Sequence, residues 1–246
     1  INKSITYAEL EQESYALSEK LKLSVKGLIF LFTTNNSESV ITYIAALKSG
    51  NAVLLLDEKL NDEIRNGLIE NYKPELIISS SEVIPEKYNN SFRYNSLKFF
   101  TRIENTASNI YPELSVLLST SGTTGSPKLV RLAYKNIQSN AESIAEYLNI
   151  DANERPITTL PINYSFGLSI INSHLLKGAA IILTEKTVFF RDFWNQFNEY
   201  KCTSFAGVPY TYTMLKRISF EKIELPTLRY FTQAGGKLSE EFIKHF

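Results

Sequence analysis

The sequence predicts an α/β fold with doubly wound sheets. Short apolar runs, such as 28–32 and 52–56, alternate with longer segments in which apolar residues recur at helical spacing. Continuous apolar runs of this length are typical of parallel strands that are buried on both faces and covered by helices. With 43% hydrophobic residues among 246, the chain can bury a substantial core, as one large domain or as two smaller lobes.

The first eighty residues or so contain three predicted strands and three predicted helices. Thr6, followed three residues later by Glu9, is a capping-box pattern that opens a helix to about Leu23. Ser37 is the predicted cap of a second helix, which stops at Gly50. The other predicted elements are strands at 27–32, 52–56 and 76–78 and a short helix from Asp62. Residues 81–111 are mostly polar, and their pattern predicts no regular element.

The alternation of strands and helices continues in the rest of the chain. Strands are predicted at 114–118, 129–132, 157–160 and 179–183, and near Phe205 and Phe231. Helices are predicted at 134–148, 166–176, 191–200, 209–218 and 239–245. No internal repeat and no low-complexity segment interrupts this order.

The segment from Ser119 to Lys128 is the strongest functional signal. It follows a predicted strand and is rich in serine, threonine and glycine. Glycine lets backbone N–H groups point at an anion, short hydroxyl side chains add donors, and the lysine adds a compact positive charge. The sequence therefore predicts a phosphate loop. Its candidate binding residues are Thr120, Ser121, Gly122, Thr123, Thr124, Gly125 and Lys128.

This phosphate loop differs from a P-loop. Pro127 precedes Lys128 and Leu129 follows it, whereas a P-loop has glycine before the lysine and Ser or Thr after it. The next residues predict a strand, so the arrangement is strand–loop–strand. An unrelated α/β NTPase is therefore disfavoured, and a dehydrogenase is disfavoured because no G-x-G-x-x-G pattern occurs. The simplest alternative is a surface turn rich in small residues.

Composition excludes several classes of partner. The 26 basic and 26 acidic residues balance, and no basic stripe predicts binding to nucleic acid. No apolar run approaches the roughly 18 residues of a membrane span. The single cysteine, Cys202, cannot form an internal disulfide and fits a reducing compartment, so we expect a cytoplasmic protein. Met214 is the only methionine, which suggests a piece of a longer protein.

Six segments, in order, resemble the adenylate-forming superfamily of acyl-CoA synthetases, luciferases and peptide-synthetase adenylation domains. The segments that carry this resemblance are 5–10, 47–53, the phosphate loop, 160–168 with 176–179, 207–209 and 233–238. The resemblance implies two packed α/β lobes, 31–133 and 1–30 plus 134–246, within an incomplete N-terminal AMP-binding domain that spans 1–246.

The resemblance also implies a reaction, its cofactors and its site residues. A carboxylate attacks the α-phosphorus of ATP to give an acyl-adenylate and pyrophosphate, and a thiol on coenzyme A or on the phosphopantetheine arm of a carrier protein then takes the acyl group. Lys128 and Tyr164 are the implied catalytic residues. The turn implied to lie against adenine contains Gly235, Gly236 and Lys237. The implied substrate pocket is lined by Tyr164, Ser165, Phe166, Gly167, Gly207 and Val208.

Two positions depart from the pattern of the superfamily. Tyr164 stands where many acyl-CoA synthetases carry a histidine, and tyrosine can donate a hydrogen bond but carries no positive charge near neutral pH. Ser165 falls where amino-acid-activating relatives place an aspartate for the substrate ammonium. We therefore expect the substrate to be a small-molecule carboxylic acid, of any chain length, without a required α-amino group.

The resemblance implies that further catalytic parts lie beyond Phe246. These parts are a glutamate that helps to hold Mg²⁺, an aspartate that binds the ribose hydroxyls, and a mobile C-terminal lobe with a lysine. No metal ligand is therefore assigned here, and we expect the chain alone to be inactive. A non-catalytic nucleotide or acyl-adenylate binding module, or half of a split enzyme, remains the alternative.

Overall fold

The computed structural model describes residues 4–83, 85–104, 109–119 and 128–246. The chain divides into two compact units, residues 1–137 and residues 138–246. The first unit is built on a seven-stranded sheet and the second on a three-stranded sheet, and each has its own apolar core. The predicted α/β class is confirmed, and the larger sheet is mixed rather than wholly parallel.

The first unit contains all of the elements up to the seventh strand. Its helices are α1 (Tyr7–Leu21), α2 (Ser37–Lys48) and α3 (Asp62–Tyr72). Its strands are β1 (Leu28–Thr33), β2 (Ala52–Asp57), β3 (Leu76–Ser79), β4 (Tyr88–Tyr94), β5 (Leu97–Arg102), β6 (Leu114–Ser119) and β7 (Leu129–Ala133). Helix α4 (Tyr134–Tyr147) begins in this unit and ends in the second.

The strand order of the larger sheet is β4-β5-β3-β1-β2-β6-β7. The four central strands pair in parallel, and β1 and the first five residues of β2 are buried along their length, as their continuous apolar runs predict. The outer pairs are antiparallel. The hairpin of β4 and β5 was not predicted, because β4 is a largely exposed edge strand whose polar residues carry no burial pattern.

Helix α1 belongs to the first unit. The predicted capping box is present, since Thr6 and Glu9 bond each other's backbone N–H groups. The end of α1 is fixed by Asn51, whose side chain donates to the Leu21 carbonyl at 2.8 Å and accepts from the Gly27 N–H at 2.9 Å. Asn36, rather than the predicted Ser37, caps α2.

The second unit continues the alternation of strand and helix. Its strands are β8 (Pro156–Ile157), β9 (Ser204–Gly207) and β10 (Tyr230–Gln233). Its helices are α5 (Ser165–Leu176), α6 (Arg191–Glu199), α7 (Pro209–Arg217) and α8 (Glu240–His245), with one 3₁₀ turn at Phe220–Lys222. The three strands are parallel, with β9 in the centre.

Two predicted strands of this unit are shorter in the structure. The strand predicted at 157–160 is limited to β8, and that predicted at 179–183 is reduced to a single parallel bridge between Ile157 and Ile182. The Thr158 hydroxyl donates to the Thr184 carbonyl at 3.2 Å and accepts from the Thr184 N–H at 2.9 Å. Side-chain bonds therefore replace the backbone ladder beyond Ile182.

An aromatic core supports the three-stranded sheet. Trp194 lies at the centre of this core and contacts four phenylalanine rings, with centroids 4.9–6.1 Å apart. Its indole N–H donates to the Val188 carbonyl at 2.8 Å, so its polar atom is satisfied. Within the described residues, no helix is both long and apolar enough to span a bilayer.

Candidate functional site

The residues predicted to bind adenine and the acid lie at one edge of the three-stranded sheet. Because β8, β9 and β10 are parallel, their carboxyl ends meet at the same edge. The predicted residues lie in segments at or just after the ends of these strands, 158–167, 207–209 and 234–237. We call these segments the carboxyl edge. In open α/β sheets, ligands bind at this edge.

Tyr164 and Gly235 make the closest approach at the carboxyl edge. A β-carbon at position 235 would lie 2.6 Å from the Tyr164 hydroxyl oxygen and 3.1 Å from Val208 Cγ1. Gly235 also has φ +81°, a conformation that other residues adopt at a cost of about 1–2 kcal/mol. Only glycine can therefore occupy this position without displacing the tyrosine.

The loop that carries Tyr164 is a tight turn braced by a helix. The Tyr164 N–H donates to the Pro161 carbonyl at 3.0 Å, and α5 begins at the next residue, Ser165. Gly167 lies in the first turn of α5, and any β-carbon there would overlap the Pro161 carbonyl oxygen. Ser165 is exposed and Phe166 is half-buried. The glycine thus allows the turn to pack directly on the helix.

The second segment of the edge follows β9. A β-carbon on Gly207 would lie 2.9 Å from the Thr211 side chain and 3.0 Å from the Tyr212 ring. The Thr211 hydroxyl accepts from the Val208 N–H at 3.2 Å, which fixes the start of α7. Burial raises the pKa of Tyr212 to about 12, so its phenol stays protonated at physiological pH.

The third segment is the Gly235 turn, residues 234–236, which follows β10. The Gln233 side chain donates to the carbonyl oxygens of Gly236 at 2.7 Å and Ala234 at 3.1 Å. Gly236 packs against Pro209, and Lys237 is exposed. Gln233 was not predicted as a site residue; the only sequence signal is an amide side chain directly before a glycine-containing turn.

Lys128 belongs to the first unit, at the end of the hairpin formed by β6 and β7. Ser119 and Leu129 are register partners in this antiparallel pair, which agrees with the predicted strand–loop–strand arrangement. Lys128 is exposed and directly precedes β7. The predicted phosphate-binding residues 120–125 lie outside the described residues, and their role stays a prediction.

The opposite edge of the three-stranded sheet contains a buried carboxylate. Glu154 is fully buried and accepts a hydrogen bond from the Thr203 hydroxyl. It also forms an ion pair with Arg229, whose side chain is half exposed. These three residues, which we call the amino edge, lie just before β8, β9 and β10.

Two further groups are buried away from the carboxyl edge. Burial raises the pKa of the Cys202 thiol to about 12, so this cysteine is a packing residue. Burial lowers the pKa of His174, whose Nδ1 lies 2.8 Å from the Ile170 carbonyl oxygen. Within the described residues, no cluster of three His, Cys, Asp or Glu side chains could hold a metal ion.

The fold and the carboxyl edge define an α/β protein of the class in which ligands bind at the carboxyl ends of parallel strands. The AMP-binding enzyme family model matches residues 1–246, and the chain belongs to this family of adenylate-forming enzymes.

Similar proteins include a CoA ligase and a carrier protein ligase. The chain is 27% identical to 2-succinylbenzoate–CoA ligase of Bacillus velezensis over 247 residues, which cover 96% of this chain and 50% of that protein. It is 23% identical to D-alanine–D-alanyl carrier protein ligase of Bacillus anthracis over 252 residues, with coverages of 96% and 50%. The chain therefore spans about half the length of these relatives.

A solved structure shares the fold. The O-succinylbenzoate coenzyme A synthetase of Bacillus subtilis, in complex with AMP, superposes with a TM-score of 0.77 at 23% identity. The superposition covers all of this chain and 52% of the synthetase.

Proposed function

We propose that the full-length protein is an AMP-forming acid ligase, which activates a carboxylic acid as acyl-AMP and then transfers the acyl group to a thiol. Two findings support this proposal: the family match over the whole chain, and the convergence of Tyr164, Val208 and Gly235 at the carboxyl edge. The second observation carries the proposal, because it brings three separate predicted segments into contact where ligands bind in parallel sheets.

The first half-reaction forms a mixed anhydride. A carboxylate oxygen of the acid attacks the α-phosphorus of ATP, the bond to the β-phosphate bridging oxygen breaks, and pyrophosphate leaves. Little covalent chemistry is required of the protein, which must position two anions and stabilise spreading negative charge. We assign the β- and γ-phosphates to residues 120–125 and Lys128, and adenine to the Gly235 turn and Lys237.

Tyr164 is assigned to the acid and to the reacting phosphate. Its hydroxyl, held against Gly235 at the carboxyl edge, can donate one hydrogen bond to an anionic oxygen. Ser165, Phe166, Gly167, Gly207 and Val208 are assigned to the acyl pocket. Ser165 cannot neutralise an ammonium group, so we propose a carboxylic acid without a required α-amino group.

The thiol that accepts the acyl group and the metal that accompanies ATP are inferred as chemical classes. One relative is named as a CoA ligase and the other as a carrier protein ligase, so coenzyme A and a carrier protein are both candidate acceptors. ATP would bring Mg²⁺, which neutralises phosphate charge. No metal ligand is assigned within this chain.

The test is carboxylate-dependent exchange of pyrophosphate into ATP by the full-length protein, across fatty, aryl and amino acids. We expect exchange with one class of acid that lacks an α-amino group. Exchange only with amino acids would contradict the assignment of Ser165. Binding of ATP without exchange for any acid would favour the non-catalytic binding module instead.

Lys128→Ala and Tyr164→Phe test the two assigned catalytic residues. We expect each to reduce exchange at least about tenfold, since a hydrogen bond to a charged group contributes roughly 1.5–3 kcal/mol. Lys135→Ala is the matched control, because Lys135 is exposed and makes only a 3.6 Å surface ion pair with Glu113. Unchanged exchange in either variant would remove that residue from the mechanism.

A further inference from the structure

The side chain of Gln233 bonds the turn that follows it in the chain, and not a neighbouring strand. It is the last residue of β10 and pairs in register with Gly207. One side-chain nitrogen, Nε2, donates to the carbonyl oxygens of both Ala234 and Gly236. An amide NH₂ has two N–H donors, so a single carboxamide satisfies both carbonyls.

These two bonds orient the peptide groups of the Gly235 turn. The chain has no cis peptide bond among its described residues, and in a trans peptide the C=O and the following N–H point in opposite directions. Since the carbonyls of Ala234 and Gly236 face the Gln233 side chain, the N–H groups of Gly235 and Lys237 face away from it. Both residues are exposed, and no described residue accepts from either N–H group.

The turn is therefore held from two sides. Tyr164 and Val208 contact Gly235 on one side, and Pro209 lies against Gly236. Gln233 holds the carbonyl oxygens on the other side. The outward N–H groups and the Lys237 ammonium group form a set of donors to which the described part of the chain offers no acceptor.

We propose that Gln233 is a positioning residue for nucleotide binding, which turns two carbonyls inward so that the N–H groups of Gly235 and Lys237 can donate to acceptor atoms of ATP. The proposal rests on the proposed function, because the nucleotide is its ligand. In this role Gln233 makes no contact with the nucleotide and acts on its binding through the conformation of the Gly235 turn.

Two substitutions separate this role from simple packing. Gln233→Met keeps the approximate size but has no donor. Gln233→Glu keeps the shape but places a carboxylate against two carbonyl oxygens, which repel it. A protonated glutamic acid can again donate one hydrogen bond, so lowering the pH should partly restore the turn in this variant.

The experiment measures ATP and acid kinetics and equilibrium ATP binding with the full-length protein. We expect the KM and Kd for ATP to rise about tenfold in both variants, which corresponds to roughly 1.4 kcal/mol. The KM for the acid should change by less than about twofold, and the Tm by less than about 4 °C. In Gln233→Glu, the ATP defect relative to wild type should shrink from pH 8 to about pH 5.5.

Gln138→Glu is the matched control, since Gln138 is an exposed glutamine whose side chain bonds Glu142 at 2.9 Å. We expect its ATP affinity to equal that of wild type at every pH. Unchanged ATP affinity in both Gln233 variants would overturn the proposal, as would a loss that is the same at all pH values in Gln233→Glu. Absence of acid-dependent exchange in wild type would overturn the proposed function, while the ATP Kd values would still decide the role of Gln233.

Discussion

The two edges of the three-stranded sheet are built in different ways. At the amino edge, one buried carboxylate connects residues that precede all three strands, and the bonds are between charged or hydroxyl side chains. At the carboxyl edge, glycines allow backbone and ring to approach closely, and no strand residue in the described part of the chain bonds the Tyr164 hydroxyl or the Lys237 ammonium group. The comparison indicates that the amino edge stabilises the unit while the carboxyl edge leaves its donors available for a ligand.

The largest effect on stability is expected from the amino edge. Glu154→Ala removes the partner of Thr203 and Arg229 and leaves a cavity, so the free energy of unfolding should fall by about 2–4 kcal/mol. Urea denaturation of the chain measures this change. Glu146→Ala, at an exposed position of α4, is the control and should change stability by less than about 0.5 kcal/mol. Equal stabilities for the two variants would contradict the structural role of the amino edge.

A smaller effect on stability, with a larger effect on activity, is expected from the carboxyl edge. Gly235→Ala should cost about 1–2 kcal/mol of stability, because φ is +81°, and should also displace Tyr164. Gly50→Ala is a close control, since Gly50 has φ +79° and its β-carbon would contact nothing within 4 Å. Both variants should lose similar stability, but only Gly235→Ala should lose exchange activity, by at least about tenfold. Equal exchange activity in the two variants would show that the contact between Gly235 and Tyr164 is not required for exchange.

The smallest effect concerns pH and His174 in α5. Burial lowers the pKa of His174 in the folded protein, so below about pH 6.5 the unfolded chain binds more protons than the folded one. Stability should therefore fall by up to about 1.4 kcal/mol between pH 7.5 and pH 5.5. His174→Gln should show a weaker pH dependence over this interval in the same urea titration. An identical dependence in both proteins would mean that His174 does not carry it.

The sequence predicted the elements well where their signals are local. Thr6 and Glu9 are three residues apart, and β1 and β2 are continuous apolar runs, so the capping box and the central strands were visible in the sequence. The shortening of β8 was not visible, because the Thr158 side chain bonds the backbone of Thr184, 26 residues away, in place of the ladder.

Tertiary contacts that determine the site were less accessible. The glycine segments at 207 and 235 could be marked from the resemblance, but the contact of Gly235 with Tyr164 spans 71 positions of the chain and needed the fold. Glu154 lies 49 residues from Thr203 and 75 from Arg229, so no sequence period connects them. Gln233 bonds residues next to it in the chain, yet a glutamine at the end of a strand has no distinctive sequence pattern.

One measurement tests the central claim most directly: acid-dependent exchange of pyrophosphate into ATP by the full-length protein, compared among wild type, Gly235→Ala and Gly50→Ala. We expect exchange in wild type and in Gly50→Ala, and a loss of at least about tenfold in Gly235→Ala at equal stability. Exchange that is unaffected by Gly235→Ala, or that falls equally in both variants, would contradict the assignment of the carboxyl edge as the functional site.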